Sequence, residues 1–408
     1  MQIPRKQNSQ SEFVILMACL MSVVALAIDA ILPALDIIGN AMGTSKVADN
    51  QLLIIMIFVG LGVGPVIFGP VSDSKGRKPV VYAGFAVFLI ASLVCVFAES
   101  LEVMLAGRVL QGIGLSAPRT IAIAIIRDMY SGNYMARVMS FVTVVFLLVP
   151  IIAPVMGKIL IDHFNWQAIF YVQMGISIII AIWFWRRQPE TLTEQNRVPW
   201  TKTLFRDGLR ELSKHRTTIG YTIITGFVTG SFLVYLSSAQ QIFQVQYGLA
   251  DAFPYIFAGL AISIGSAILM NANLVLRFGM KKLIDVSLGA FFIIPVVYVI
   301  CFHNTSNPSI IVLLAFFGVL FFAMGFMFGN LRAIAMQPVG HIAGIAAAIT
   351  GLVSTLMSVP ISIYIGRFVD DTALPLFMGF LVCGALSLVV LSILKYYRPI
   401  TRHEKRSI

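Results

Sequence analysis

Apolar positions in this chain come in long blocks separated by short polar turns. A helix needs about 20 mainly apolar residues to cross the hydrocarbon core of a bilayer. Twelve blocks qualify, at roughly 13–35, 51–71, 79–97, 101–126, 134–158, 166–185, 217–240, 252–276, 281–302, 309–331, 341–366 and 374–395. One long polar stretch interrupts them, RRQPETLTEQNRVPWTKTLFRDGLRELSKHR at 186–216. Its prolines and charges predict a linker, with one surface helix around TLFRDGLREL. The expected fold is all-α and membrane-integral. Two pseudo-symmetric six-helix bundles, residues 1–185 and 217–408, surround a central cavity, and the second ends in a short basic tail.

Composition narrows the class. Of 408 residues, 58% are hydrophobic and 12% charged, with a mean hydropathy of +0.90. Soluble domains carry about a quarter charged residues, so a water-soluble globule and a disordered chain are both excluded. The four cysteines all lie in apolar runs, with no CxxC and no Cys/His cluster. No disulfide scaffold or metal site is expected. The first span is too long for a cleavable signal peptide and lacks a cleavage site after it. No Gly-x-x-x-x-Gly-Lys-Ser/Thr loop exists, so nothing in the chain binds ATP that way. Neither a catalytic constellation nor a cofactor site emerges.

The basic residues set an orientation. With the N-terminus inside, 24 of the 29 Lys and Arg fall in inner segments and three (Lys46, Lys158, Arg367) in outer loops. That asymmetry predicts cytoplasmic termini. It also accounts for the net charge of +11 without nucleic acid as a partner.

Three ionisable groups lie well inside a span: Asp29 in span 1, and Arg108 and Arg119 in span 4. Such groups cost a few kcal/mol to insert and default to functional candidates. Counting at about 1.5 Å per residue puts Asp29 and Arg108 at similar depth, roughly 10 Å below the outer surface. They could therefore be neighbours. Eleven residues make almost three whole turns, so Arg108 and Arg119 share a helix face. Asp29 reads either as a structural partner for an arginine or as a carboxylate that takes and releases a proton. Arg108 reads as a fixed counter-ion or a coupling residue. Arg119, after Pro118, reads as a ligand-binding group or as lining of an aqueous vestibule.

At these residues the chain resembles the major facilitator superfamily, and more narrowly its twelve-span drug:proton antiporters. GPVSDSKGRKP (69–79) is similar to the superfamily's loop between spans 2 and 3. LAGRVLQGIG (105–114) resembles the span-4 motif around a buried arginine, here Arg108, and DAILP (29–33) the Asp-x-x-x-Pro of span 1. VPIIAPVMG (149–157) resembles the span-5 antiporter motif in part. Pro154 and Gly157 fit, whereas Ala153 and Lys158 replace usual glycines. QGIG…IIRDMY, FNWQAIF and AGIAAAITG are similar to the bicyclomycin- and chloramphenicol-resistance branch. That branch usually carries an arginine about three residues before its RD pair. Here the nearest is Arg119, eight before Arg127.

The resemblance implies a proton-coupled multidrug exporter of the bacterial inner membrane, working by alternating access. An endogenous metabolite, such as a siderophore or an amino acid derivative, is the alternative cargo. Proton coupling is assigned to Asp29 and Arg108, with the proton as coupling ion. A conformational latch is assigned to Asp73, Gly76, Arg77, Lys78 and Arg127. Pro150, Pro154 and Gly157 remove backbone hydrogen bonds or allow close packing in span 5. Mid-span polar groups complete a candidate cavity with Asp29 and Arg119: Tyr235, Gln240, Gln241, Asn271 and Asn330. The expected partners are membrane lipid and small lipophilic or zwitterionic substrates, with permanent dications disfavoured by the two arginines. The chain is expected to work as a monomer.

Overall fold

The computed structural model describes residues 10–44, 46–197, 203–304 and 307–396. The basic C-terminal tail and part of the linker lie outside them. The described residues form helices and turns throughout: α1 (Gln10–Asp29), α2 (Leu35–Ala41), α3 (Val47–Lys75), α4 (Arg77–Val96), α5 (Leu101–Met129), α6 (Gly132–His163) and α7 (Gln167–Arg187). After the linker come α8 (Leu204–Ser213), α9 (Arg216–Gln240), α10 (Phe253–Phe278), α11 (Met280–Phe302), α12 (Ile310–Met336), α13 (Ala343–Gly366) and α14 (Leu374–Tyr396). Leaving aside the short α2 and α8, twelve helices are long and apolar enough to span a membrane. The stretch Ile310–Gly366 counts as two because a 3₁₀ turn with non-helical Val339 breaks it.

Two boundaries differ from the expected spans. The first span does not run straight to 35. α1 ends at Asp29, and a 3₁₀ turn over Leu32–Ala34 leads into α2. Pro33 lacks the N–H that would continue the helix. The tenth span continues past 331 to Met336, which places Arg332 inside α12 rather than in a loop. The surface helix expected in the linker is α8. It rests Gly208 and Leu212 against Ile345 and Ile349 of α13.

The helices pack in two groups. In the first, α3 and α4 pack on α5, and α1 packs on α6 and α7. In the second, α9 packs on α13 and α14, and α12 on α10 and α11. The groups meet along α3 with α13 and along α6 with α10. Inside the first group the backbones nearly touch. A Cβ at Gly112 of α5 would sit 2.0 Å from the Ile57 carbonyl of α3, and one at Gly157 would sit 2.0 Å from the Ala30 carbonyl. Small residues permit such approach where lipid gives helices no hydrophobic reason to associate. Gly157 therefore acts by close packing against the α1 exit, while α6 remains one helix through Pro150 and Pro154.

The end carrying the basic turns is here named the basic end, and the other the far end. The contacts that close the far end include uncharged donors around a carboxylate and the ion pair of Lys158 with Asp251 at 3.1 Å. Asp36 of α2 accepts from Asn50 (2.9 Å) and, across the seam, from Gln240 of α9 (2.7 Å). Gln241 donates to the Asp370 carbonyl at 3.1 Å.

Candidate functional site

A cavity of about 850 Å³ occupies the basic half of the molecule, between α3 and α5 on one side and α9, α12 and α13 on the other. It reaches inward to Ser116, Thr229 and Ser358. Its rim carries Asp73, Arg77, Asp128 and His341. The size suits a drug-sized ligand, for which pockets of roughly 300–1,000 Å³ are usual.

Of the residues expected to line a substrate cavity, only Arg119 does so. Asn271 and Asn330 bond to each other across α10 and α12, with Asn330 donating at 2.7 Å. Gln240 and Gln241 belong to the far-end closure. Tyr235 is 2% exposed and packed among Phe257, Phe317 and Phe321. The reason is common to all of them. An amide or phenol inside a bilayer must find a partner or a packed site, and these found one between helices.

Arg108 and Asp29 do not form the expected pair. Arg108 is fully buried, and its fork is spent on neutral acceptors: Leu53 carbonyl (2.8 Å), Gln111 Oε1 (2.8 Å) and Ala27 carbonyl (3.1 Å). Gln111 in turn donates to Ser92 of α4 at 2.8 Å. One guanidinium thus ties α1, α3, α4 and α5 together. Ala27 and Asp29 are two residues apart, about 200° around α1. Holding Arg108 at Ala27 therefore sends Asp29 out of the other face. Asp29 is 5% exposed and has no ion pair or side-chain hydrogen bond among the described residues. It is electrostatically coupled to Tyr235 of α9, in the opposite group. The Tyr235 hydroxyl is itself buried without a partner. Arg108 stays in the closed half, so the two α5 arginines do not share the cavity.

At the basic end, Gly76 turns the chain from α3 into α4 with φ +104°, a conformation that only glycine adopts without strain. Arg77, 3% exposed, bridges two helices by pairing with Asp73 of α3 and with Asp128 of α5 at 2.9 Å. The bridge falls on Asp128, next to the expected Arg127, which lines the cavity. Lys78 donates its ammonium to the Trp185 carbonyl at 3.2 Å. The linker joins this cluster. Glu190 accepts from the backbone N–H groups of Arg77, Lys78, Thr191 and Leu192 at 2.9–3.0 Å. Partial burial pushes its carboxyl up, but those donors outweigh it and hold the group below the usual glutamate value. Thr191 hydroxyl donates to Asp128 at 3.1 Å.

Three positions of the cavity and its rim escaped the sequence reading: Arg332, Asp128 and Glu190. For Arg332 a signal existed, because apolar Ala333–Met336 carry the helix beyond the arginine. Asp128 depends on how the end of α5 packs beside the Gly76 turn, and Glu190 on how the linker folds back, neither of which spacing encodes.

With this geometry in view, the comparisons are specific. The chain matches the Major Facilitator Superfamily over residues 17–359 and belongs to that family. It is a multi-pass membrane transporter and not an enzyme. It is 26% identical to a bicyclomycin resistance protein homolog of Haemophilus influenzae, over 98% of this chain and 99% of that one. It is 25% identical to the multidrug resistance protein MdtL of Escherichia coli O157:H7, over 97% and 98%. The fold is similar to the xylose transporter XylE of E. coli in a partially occluded inward-open conformation. There the TM-score is 0.71 at 12% identity, covering 96% and 98% of the two chains.

Proposed function

We propose that the protein is a proton-coupled exporter of drug-like compounds. It alternates a single cavity between the two sides of the bacterial inner membrane, with both termini cytoplasmic. The observation that carries this reading is Asp29. It is the one carboxylate deep in a span, it has no cation beside it, and it lies at the seam between the two helix groups. A carboxylate so placed is neutral or charged depending on what the seam admits, and each form favours a different closure. The names of the full-length relatives support drug-like cargo, and the basic asymmetry of the loops supports the orientation.

Everted membrane vesicles test the reading. Energised vesicles should accumulate a phenicol against its gradient and lose it when the proton gradient is collapsed. Asp29→Asn should abolish accumulation but leave exchange of labelled for unlabelled phenicol across the membrane. Accumulation by the Asp29→Asn protein would refute the coupling role. A panel in which no drug resistance changes would move the cargo to an endogenous metabolite.

A further inference from the structure

We propose that the cavity takes an anionic amphiphile, its carboxylate or similar group held by Arg119 with Arg332 facing it. This deepens the exporter reading and rests on it. Arg119 comes from α5 and Arg332 from α12, so the two helix groups each contribute one arginine to the same cavity. They are close enough for their charges to repel. Neither has an ion pair or hydrogen bond among the described residues, in contrast to Arg77 and Arg108, whose forks are committed. The charge of the lining decides the sign. Arg77, Arg119, Arg127 and Arg332 face Asp73 and Asp128, and both aspartates are already bound to Arg77. With His341 neutral the lining carries two uncompensated positive charges.

Like charges held together repel, so the arrangement is completed by an anion. A guanidinium presents a planar fork that fits a carboxylate with two parallel hydrogen bonds. A further donor is in place. The Thr229 hydroxyl lines the cavity and is buried with no partner. The rest of the wall supplies an apolar body site, with Phe58, Leu61 and Ile121 on the first group's side and Ile345 and Met336 on the second's. An apolar molecule bearing one negative group satisfies both parts. Cations are excluded by the same charges.

Equilibrium binding to the full chain in detergent tests this with two fluorescent probes of equal shape, coumarin-3-carboxylate and its uncharged amide. The wild type should bind the carboxylate at least tenfold more tightly than the amide. Arg119→Gln and Arg332→Gln should each cost the carboxylate tenfold or more, with amide affinity unchanged within twofold. Arg119→Lys should recover part of the loss. Unchanged amide binding doubles as proof that the variants are folded. Should Arg119→Gln fail to fold, the solvent-accessible Arg332→Gln and a salt titration of the wild type carry the test, since the carboxylate preference must fall as ionic strength rises. Equal binding of both probes, no binding of either, or a preference that survives both glutamine substitutions would overturn the proposal. No proton gradient is present in this measurement. Failure of proton coupling therefore leaves the preference standing, and loss of the preference leaves Asp29-dependent flux untouched.

Discussion

Two buried arginines hold the first helix group together, and they are satisfied by opposite chemistry. Arg108, in the far half, is bonded to two backbone carbonyls and an amide, with no carboxylate among its hydrogen-bond partners. Arg77, at the basic end, is bonded to two carboxylates, with a third wrapped around its backbone. Neutral acceptors do not titrate, and in a desolvated site salt does not reach them. Carboxylates at the water's edge are screened. The first arrangement is a permanent tie and the second a releasable one.

The largest expected effect is at the permanent tie. Arg108→Leu leaves Gln111 Oε1 without its donor and strips the Ala27 and Leu53 carbonyls of theirs from Arg108 in dry surroundings, where an unsatisfied group costs about 1–3 kcal/mol. A loss of at least about 3 kcal/mol is expected, read as earlier thermal exposure of the buried Cys95 and Cys383 thiols to a reactive dye. Wild-type stability in that variant would show the tie to be incidental. Arg77→Gln strands two partly exposed carboxylates and should cost less, about 2 kcal/mol, below the 3–5 of a wholly buried pair. Its deficit should shrink in high salt, whereas that of Arg108→Leu should not. Equal salt responses would erase the distinction between the two sites.

Glu190 comes next. Its folded carboxyl sits below the ordinary glutamate value, so its stabilisation is complete above that value and lost as the pH falls through the lower folded one. Glu190→Gln should cost about 1 kcal/mol at neutral pH, the scale of a lost helix cap. The gap from wild type should close in acid, and a gap constant with pH would count against the assignment. A last comparison separates the two Gly-plus-basic turns. Gly279 repeats the positive φ of Gly76, at +77° against +104°. A Cβ at Gly279 meets nothing, whereas one at Gly76 would lie 2.8 Å from Glu190. Gly279→Ala should cost only the backbone strain, about 1–2 kcal/mol. Gly76→Ala should cost more and should also weaken the effect of Glu190→Gln.

These residues also mark how far the sequence could be read. Block length revealed the spans, because hydrocarbon thickness sets it. The motif at 69–79 located the Gly76 turn, because a tight turn needs glycine. What escaped were partnerships. Similar depth suggested an Asp29–Arg108 pair, but depth fixes only the axial coordinate, and Asp29 leaves α1 about 200° from the face that Arg108 holds. Gln240 and Asn330 looked like cavity groups for being polar in an apolar run. Composition cannot tell a polar group bonded to a neighbouring helix from one facing water. Arg332 stood at the end of a block, and only the apolar Ala333–Met336 after it mark it as helical.

The near-contact of backbones at Gly112 and Gly157 bears on how such a protein diversifies. At those positions no side chain of any kind fits without moving a carbonyl, so the frame of the first helix group is closed to variation. Thr229, by contrast, carries a hydroxyl bonded to nothing. Change there alters what the wall offers a ligand while leaving every interhelical hydrogen bond in place. Under selection by a new toxin, adaptive substitutions are expected to collect around the lining and to avoid the glycines, so that cargo range drifts on a scaffold that does not.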